Sequence, residues 1–474
     1  MIFENKLSLY KQALSIVLLL FIFISCKSTQ EEKVAISKNV QNPNIIYIML
    51  DDAGYGDFSA FGSKHIKTPN FDKICSEGMR FTNHYSGSAV CAPTRSVLMT
   101  GLDTGHTPRR DNTAKGNTEE LIKKNGRALV FLEDAHLTVA ESLKNAGYTT
   151  GGIGKWGLGN PGSDGVPEKQ GFDYWFGYLD QVHAHEHFPE EIWEGGKMIE
   201  IPENKKGKKG KYIPYLQEEK SLDFIKKNKN KPFFLYMALT PPHGKYVIPE
   251  SDPLFSEYEG IPGGKTVQHY AAMVARADQT VGKVMSLLKK LDIDDNTIVF
   301  YTSDNGPNGL FAKNINSAGG LRGGKRSLYE GGIRAAMAVR WPNKIPENTT
   351  SDFIWDMRDF FPTACEIAKT KTPKGLSGIS VLKTLKGGKQ KGRKFHYWEI
   401  HSPFHQAVRM GKWKAIRYGT KEKLKLYNLK VDRAESKNIS NENPEIVAEI
   451  EKFLETARVE SPYFPAKEYR KIKK

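Results

Sequence analysis

The run Ile45-Ile46-Tyr47-Ile48-Met49-Leu50-Asp51-Asp52 is six apolar residues ending in two carboxylates. An apolar run of this length bounded by polar residues suits a buried strand. Comparable runs follow at 148–153, 233–239, 297–302 and 335–340, and helix-like amphipathic segments separate them at 71–77, 138–146, 221–227 and 267–290. Gly147 stands where the second of those helices must stop. Strand and helix alternating in this way build βαβ units, so the expected fold class is α/β, a large mostly parallel sheet flanked by helices.

After residue 375 the pattern changes. The short segments 395–400, 407–409, 413–418 and 425–429 are divided by turns and suit an antiparallel sheet, with a helix expected over 444–457. A catalytic domain over 44–374 and a smaller C-terminal α+β domain over 375–474 follow from this. The Gly/Lys-rich segment 195–211 is expected to be an exposed hairpin or loop.

The first 25 residues carry Lys6 and Lys11 ahead of a short apolar run and then Ser25-Cys26. About a dozen apolar residues is too few to span a bilayer, and the arrangement is that of an export signal of lipoprotein type, with Cys26 lipidated. Residues 26–43 then form a polar tether. Four cysteines in a chain of 474 residues make no disulfide framework, so Cys75 and Cys365 are expected to be buried thiols. The net charge of +16 favours polyanions, and export excludes nucleic acid in favour of an acidic glycan. Much of that charge lies in runs such as Lys205-Lys206-Gly207-Lys208-Lys209, which suit solvated loops.

Ligands in open α/β sheets bind beyond the carboxyl ends of the strands. The first strand ends in Asp51-Asp52 and that at 297–302 leads into Ser303-Asp304-Asn305-Gly306. Adjacent buried carboxylates require a compensating cation. Three Asp and an Asn carbonyl form a hard-oxygen set suited to Ca²⁺ or Mg²⁺. In Ser88-Ala89-Val90-Cys91-Ala92-Pro93-Thr94-Arg95-Ser96-Val97-Leu98-Met99-Thr100-Gly101, Pro93 places Cys91 at a helix N-terminus, where backbone N–H groups favour an anion. Arg95 adds a fixed charge one turn on. A buried structural cysteine is the alternative.

That run, with Pro at +2, Arg at +4 and Thr-Gly at +9/+10 from Cys91, resembles the signature of the formylglycine-dependent sulfatases. Gly154-Lys155-Trp156-Gly157-Leu158-Gly159, Thr240-Pro241-Pro242-His243-Gly244-Lys245 and Gly323-Gly324-Lys325 through Tyr329-Glu330-Gly331-Gly332-Ile333-Arg334 resemble further blocks of the same family. The resemblance implies an alkaline-phosphatase-like fold and oxidation of Cys91 to a formylglycine whose hydrate attacks a sulfate ester. It implies Asp51, Asp52, Asp304 and Asn305 as metal ligands, completed by the Cys91-derived group, with Ca²⁺ ahead of Mg²⁺. It assigns Arg95 beside the nucleophile, Lys155 to the sulfate, His243 to the leaving oxygen and Lys325 to the bridging oxygen. Arg110 and Asn112 match positions near the site.

Gly157 departs from the family, which carries a histidine there for proton transfer. His183 or His185, in Gln181-Val182-His183-Ala184-His185, is the expected substitute, and a subset of carbohydrate sulfatases shares this departure. The resemblance thus implies a sulfated-glycan hydrolase, acting on galactose or N-acetylgalactosamine sulfates or on algal glycans such as carrageenan or ulvan. Its partners would be a formylglycine-generating maturase and, through the lipid alone, a membrane. Its location would be the periplasm or outer membrane of a Gram-negative bacterium. A phosphatase or phosphodiesterase of the same superfold, or a non-catalytic glycan-binding lipoprotein, are the competing classes.

Overall fold

A computed structural model describes residues 42–468; the export signal, Cys26 and nearly all of the expected tether lie outside the described residues. In chain order the first strands are β1 (Asn44–Leu50), β2 (Met79–Phe81), β3 (His84–Tyr85), β4 (Thr149–Lys155) and β5 (Tyr174–Tyr178). There follow β6 (Glu191–Glu194), β7 (Lys197–Glu200), β8 (Phe233–Ala238), β9 (Thr297–Ser303), β10 (Met337–Arg340), β11 (Thr349–Ser351) and β12 (Trp355–Asp356). Ten of these form one sheet in the order β11-β2-β10-β9-β1-β8-β4-β5-β6-β7, while β3 pairs with β12. The five central strands β9, β1, β8, β4 and β5 are mutually parallel, and antiparallel pairings occur only toward the edges.

Both faces of that centre are covered, which explains the unbroken apolar runs. Ile45, Tyr47 and Met49 of β1 pack on one side with Phe234, Tyr236 and Phe300. Ile46, Ile48 and Leu50 pack on the other with Leu235, Met237 and Val299. The helices fall where the periodicity places them, at Pro69–Ser76, Val139–Asn145, Ile213–Asn228 and Lys265–Lys290. Gly147 takes φ +87°, the left-handed stop expected of it. The helix expected over 221–227 begins eight residues earlier, because Pro214 suits a first turn. The hairpin expected over 195–211 is centred earlier. Gly195 and Gly196, both at positive φ (56° and 88°), turn β6 into β7.

The C-terminal strands β13 (His396–His401), β14 (Phe404–Met410), β15 (Trp413–Tyr418) and β16 (Lys425–Asn428) form a four-stranded antiparallel sheet. Its residues alternate between two covered faces. Trp398, Ile400, Ala407, Ile416 and Tyr427 pack toward Tyr85, Val90 and Tyr329 of the main body. Tyr397, Val408, Ala415 and Leu426 pack with Ile450 and Leu454 of the helix Pro444–Leu454. Cys75 and Cys365 are buried free thiols. Among the described residues no helix is long and apolar enough to cross a membrane.

Candidate active site

The parallel register brings the ends of β1 and β9 level, with Leu50 opposite Ser303. Asp51, Asp52, Asp304 and Asn305 therefore emerge side by side. The Asp304 N–H donates to Leu50 O (3.0 Å) and the Asp51 N–H to Pro241 O (3.2 Å), tying the third strand-end loop to the first two. Asp52 lies at φ +71°, a left-handed conformation that Asp tolerates better than most residues. Its N–H donates to Asp304 Oδ1 (3.0 Å), and its carbonyl accepts from the buried Tyr270 hydroxyl (3.2 Å).

Cys91 is the first residue of the helix Cys91–Thr100 and is buried. Its Sγ lies 3.2 Å from Asp51 Oδ1 and 3.9 Å from Asp52 Oδ1. Burial and the Asp51 carboxylate push the thiol well above its ordinary value, so the encoded side chain is poorly suited to act as a thiolate. One turn on, Arg95 Nη2 bridges Asp51 Oδ2 (3.2 Å) and Asp304 Oδ2 (3.1 Å). Lys155, the last residue of β4, reaches Asp51 Oδ2 at 2.6 Å, and Lys325 reaches Asp52 Oδ2 at 2.7 Å. His243 Nε2 is 3.6 Å from the same Asp52 oxygen.

The electrostatics follow from this crowding. Burial alone would raise the Asp51 carboxyl, but His243, Lys155 and Arg95 hold it well below its ordinary value. Asp52 is likewise lowered against burial, chiefly by Lys325. Asp304 goes the other way, pushed up to about 7 by burial and by Asp51. Burial holds His243 at about 3, so its imidazole is neutral and keeps a single N–H donor.

One acceptor is left over. Asn305 Nδ2 donates to Asp52 Oδ1 (2.7 Å), but the buried Asn305 Oδ1 has no hydrogen-bond partner among the described residues. An orphaned carbonyl oxygen beside two ionised carboxylates is a donor set that fits a hard divalent cation. Asp51, Asp52, Cys91 and His243 present ligand atoms within 4.8 Å of one another. Asp304 stands one step back, its oxygens already accepting from Arg95 and the Asp52 N–H.

The remaining residues singled out in the sequence divide. The ring of His185 lies 4.5 Å from that of His243, at the edge of the cluster. His183, on the same turn, meets Tyr178 edge-on and lines a separate cavity with Arg127, Asp180 and Trp193. Arg110 is buried and committed to Glu399 Oε1 (3.2 Å) and Val459 O (2.7 Å), so its guanidinium serves the junction with the C-terminal sheet instead of a ligand. Asn112 supports the start of the Cys91 helix, accepting from the Ala92 N–H at 3.2 Å. Arg109 carried no sequence signal of its own. Its guanidinium donates to Gly157 O and Asn112 O, both at 2.6 Å, and ties the loop after β4 to the segment that holds that helix start.

A buried cysteine at a helix start, ringed by three carboxylates and three cations, agrees with the comparisons. The family model described as Sulfatase matches residues 43–370, and that described as N-sulphoglucosamine sulphohydrolase, C-terminal, matches 323–460. The chain belongs to the sulfatase family. It is a sulfuric ester hydrolase by that membership. An N-acetylgalactosamine-6-O-sulfatase of Bacteroides thetaiotaomicron is 30% identical, covering 89% of this chain and 94% of the relative. N-acetylgalactosamine-6-sulfatase of Canis lupus familiaris is 32% identical over 79% of this chain and 72% of the relative. The solved structure of Ps i-CgsB in complex with k-i-k-neocarrahexaose is 27% identical, with a TM-score of 0.77 over 90% of this chain and 95% of that one.

Proposed function

We propose that this sulfatase removes sulfate from a galactose-type sugar of a glycan, using a formylglycine made from Cys91 and a bound divalent cation, Ca²⁺ ahead of Mg²⁺. The observation that carries the reading is the convergence of Cys91, Asp51, Asp52, Lys155, His243 and Lys325 around one buried point. The sugar class rests on the N-acetylgalactosamine sulfatases and the structure in complex with k-i-k-neocarrahexaose that this chain resembles. Asp51, Asp52 and Asn305 Oδ1 would hold the cation, with Asp304 and the Cys91-derived group beside it. Bound there, it would neutralise sulfate oxygens and acidify a coordinated hydroxyl.

The chain's own side chains supply the rest. Arg95 fixes the orientation of Asp51 and Asp304 from below and is not free to meet substrate. Lys155 and Lys325 lie against carboxylates that a cation would also bind, and with one bound there both ammonium groups would be available to the ester's anionic oxygens. His243 offers its one N–H to the leaving sugar oxygen, and the adjacent His185 is the nearer of the two candidates to stand in for the missing histidine at 157. An N-terminal lipid at Cys26 and a periplasmic or outer-membrane site remain part of the proposal, resting on the first 26 residues alone.

The test is a screen of defined sulfated monosaccharides by ion chromatography of released sulfate, with mass spectrometry of the Cys91 peptide. Galactose 6-sulfate or N-acetylgalactosamine 6-sulfate should be turned over, and the peptide should carry the aldehyde. Cys91→Ala should lower turnover by at least ~10⁴-fold, as loss of a nucleophile does. Undiminished release by that variant would sink the mechanism.

A further inference from the structure

Gly157 is remarkable for what fills the space over it. The residue sits at φ +82°, and a Cβ built on it would lie 1.6 Å from Nε2 of Gln181. The two loops are locked together at this point. The Gly157 N–H donates to Leu179 O (3.0 Å) and Gly157 O accepts from Arg109 (2.6 Å). Gln181 begins the turn that carries His185, whose ring meets His243, and the Lys245 N–H donates to His185 O (3.2 Å). Gln181 Nε2 is buried and has no hydrogen-bond partner among the described residues. An unmet buried donor is costly to desolvate and calls for a partner arriving with a ligand.

We propose that Gln181 is a substrate-contacting residue of this sulfatase: its amide occupies the volume of the side chain that position 157 lacks and donates to an anionic oxygen of the sulfate group. The inference rests on the sulfate-ester reading above. A primary amide donates a hydrogen bond but moves no proton, so Gln181 would bind and stabilise charge, leaving proton transfer to a histidine. Glycine at 157 and glutamine at 181 then form one unit, since any side chain at 157 would expel the amide.

The experiment compares wild type, Gln181→Ala, Gln181→Glu and Gly157→Ala, reading kcat, KM, melting temperature and binding of inorganic sulfate by calorimetry. Gln181→Ala should lose about 10²-fold in kcat/KM, as removal of one charge-stabilising donor does, and should bind sulfate more weakly at unchanged melting temperature. Gln181→Glu preserves shape but faces the anion with a carboxylate, so it should be worse than alanine. Gly157→Ala should lose kcat/KM and sulfate binding as Gln181→Ala does, with a lowered melting temperature besides because alanine is strained at this φ, and the double variant should bind and turn over no worse than Gly157→Ala. Wild-type turnover and sulfate binding in both Gln181 variants would overturn the proposal, as would equal losses in both with sulfate binding unchanged. Failure of the wild type to release sulfate from any ester would count against the function, while its sulfate affinity relative to Gln181→Glu still decides the role of Gln181.

Discussion

Two buried charge clusters of this molecule are built from similar parts and do different things. At the ends of β1 and β9, Asp51, Asp52 and Asp304 face Arg95, Lys155 and Lys325. At the junction with the C-terminal sheet, Glu330 and Glu435 face Lys414, Arg334 and Arg409. In the second cluster every carboxylate oxygen is engaged. Glu330 takes Lys414 on one oxygen and the Tyr85 hydroxyl and Arg334 on the other. Glu435 takes Lys414 and the Glu330 N–H. In the first cluster the Asn305 carbonyl and His243 Nδ1 are left unpartnered. Burial of charge therefore does not distinguish a site from a fastener here. Unused bonding capacity does.

The largest effect expected from breaking this contrast lies at the metal ligands. Asp52→Asn should cut sulfate release by about 10³-fold and abolish the cation response expected of the wild type. Chelation followed by Ca²⁺ at about 100-fold its dissociation constant should stabilise the wild type by about 2.7 kcal/mol. Scanning calorimetry with and without added Ca²⁺ reads this, and equal responses in both proteins would remove Asp52 from the ligand set.

The fastener should fail in the opposite way. Lys414→Met leaves Glu330 and Glu435 facing each other in a buried space and should cost about 3–5 kcal/mol of stability. Sulfate release per folded molecule should stay within about twofold of wild type. Urea unfolding and specific activity at low temperature separate the two quantities, and a large activity loss without a stability loss would erase the distinction drawn here.

The smallest expected effect is a pH dependence. Burial pushes Glu435 up to about 7, so the folded state holds its proton more tightly than the unfolded chain does. Stability from this group is greatest below its ordinary value of 4.5 and is lost as pH rises from there to about 7. Glu330, held down to about 2 chiefly by Lys414 against burial, works in the other sense: its contribution is full above about 4.5 and is lost as pH falls from there to about 2. Glu435→Gln should flatten the stability profile between pH 4.5 and 7, measured by urea midpoint. A profile as steep as wild type would show that Glu435 does not titrate there.

Much of this was legible along the chain because it depends on local order. Apolar runs ending in polar residues marked β1, β4, β8 and β9, and the polar end of each became part of the cluster, whereas the run at 335–340 ends in Arg340, which pairs with Glu77 and Asp294 elsewhere. Pro93 placed Cys91 at a helix start, and Gly147 marked a helix stop. The short β2, β6 and β11 carry too few residues for a period of two to register. Arg110 and Arg109 show the limit more sharply. They are adjacent and chemically identical, yet one reaches Glu399, 289 positions away, and the other the carbonyls of Gly157 and Asn112.

The same boundary separates His185 from His183, two residues apart on one turn. Their spacing made both candidates, but only the packing of the loop at His243 against that turn put one ring beside the cluster. Residue order determined which groups are available at the strand ends, because strand direction and helix starts are local properties. Which of those groups keep a free donor or acceptor is settled by contacts across hundreds of residues. That is where Asn305 Oδ1 and Gln181 Nε2 acquire their meaning: each is an ordinary amide in the sequence, left unmet only once the sheet has closed around it.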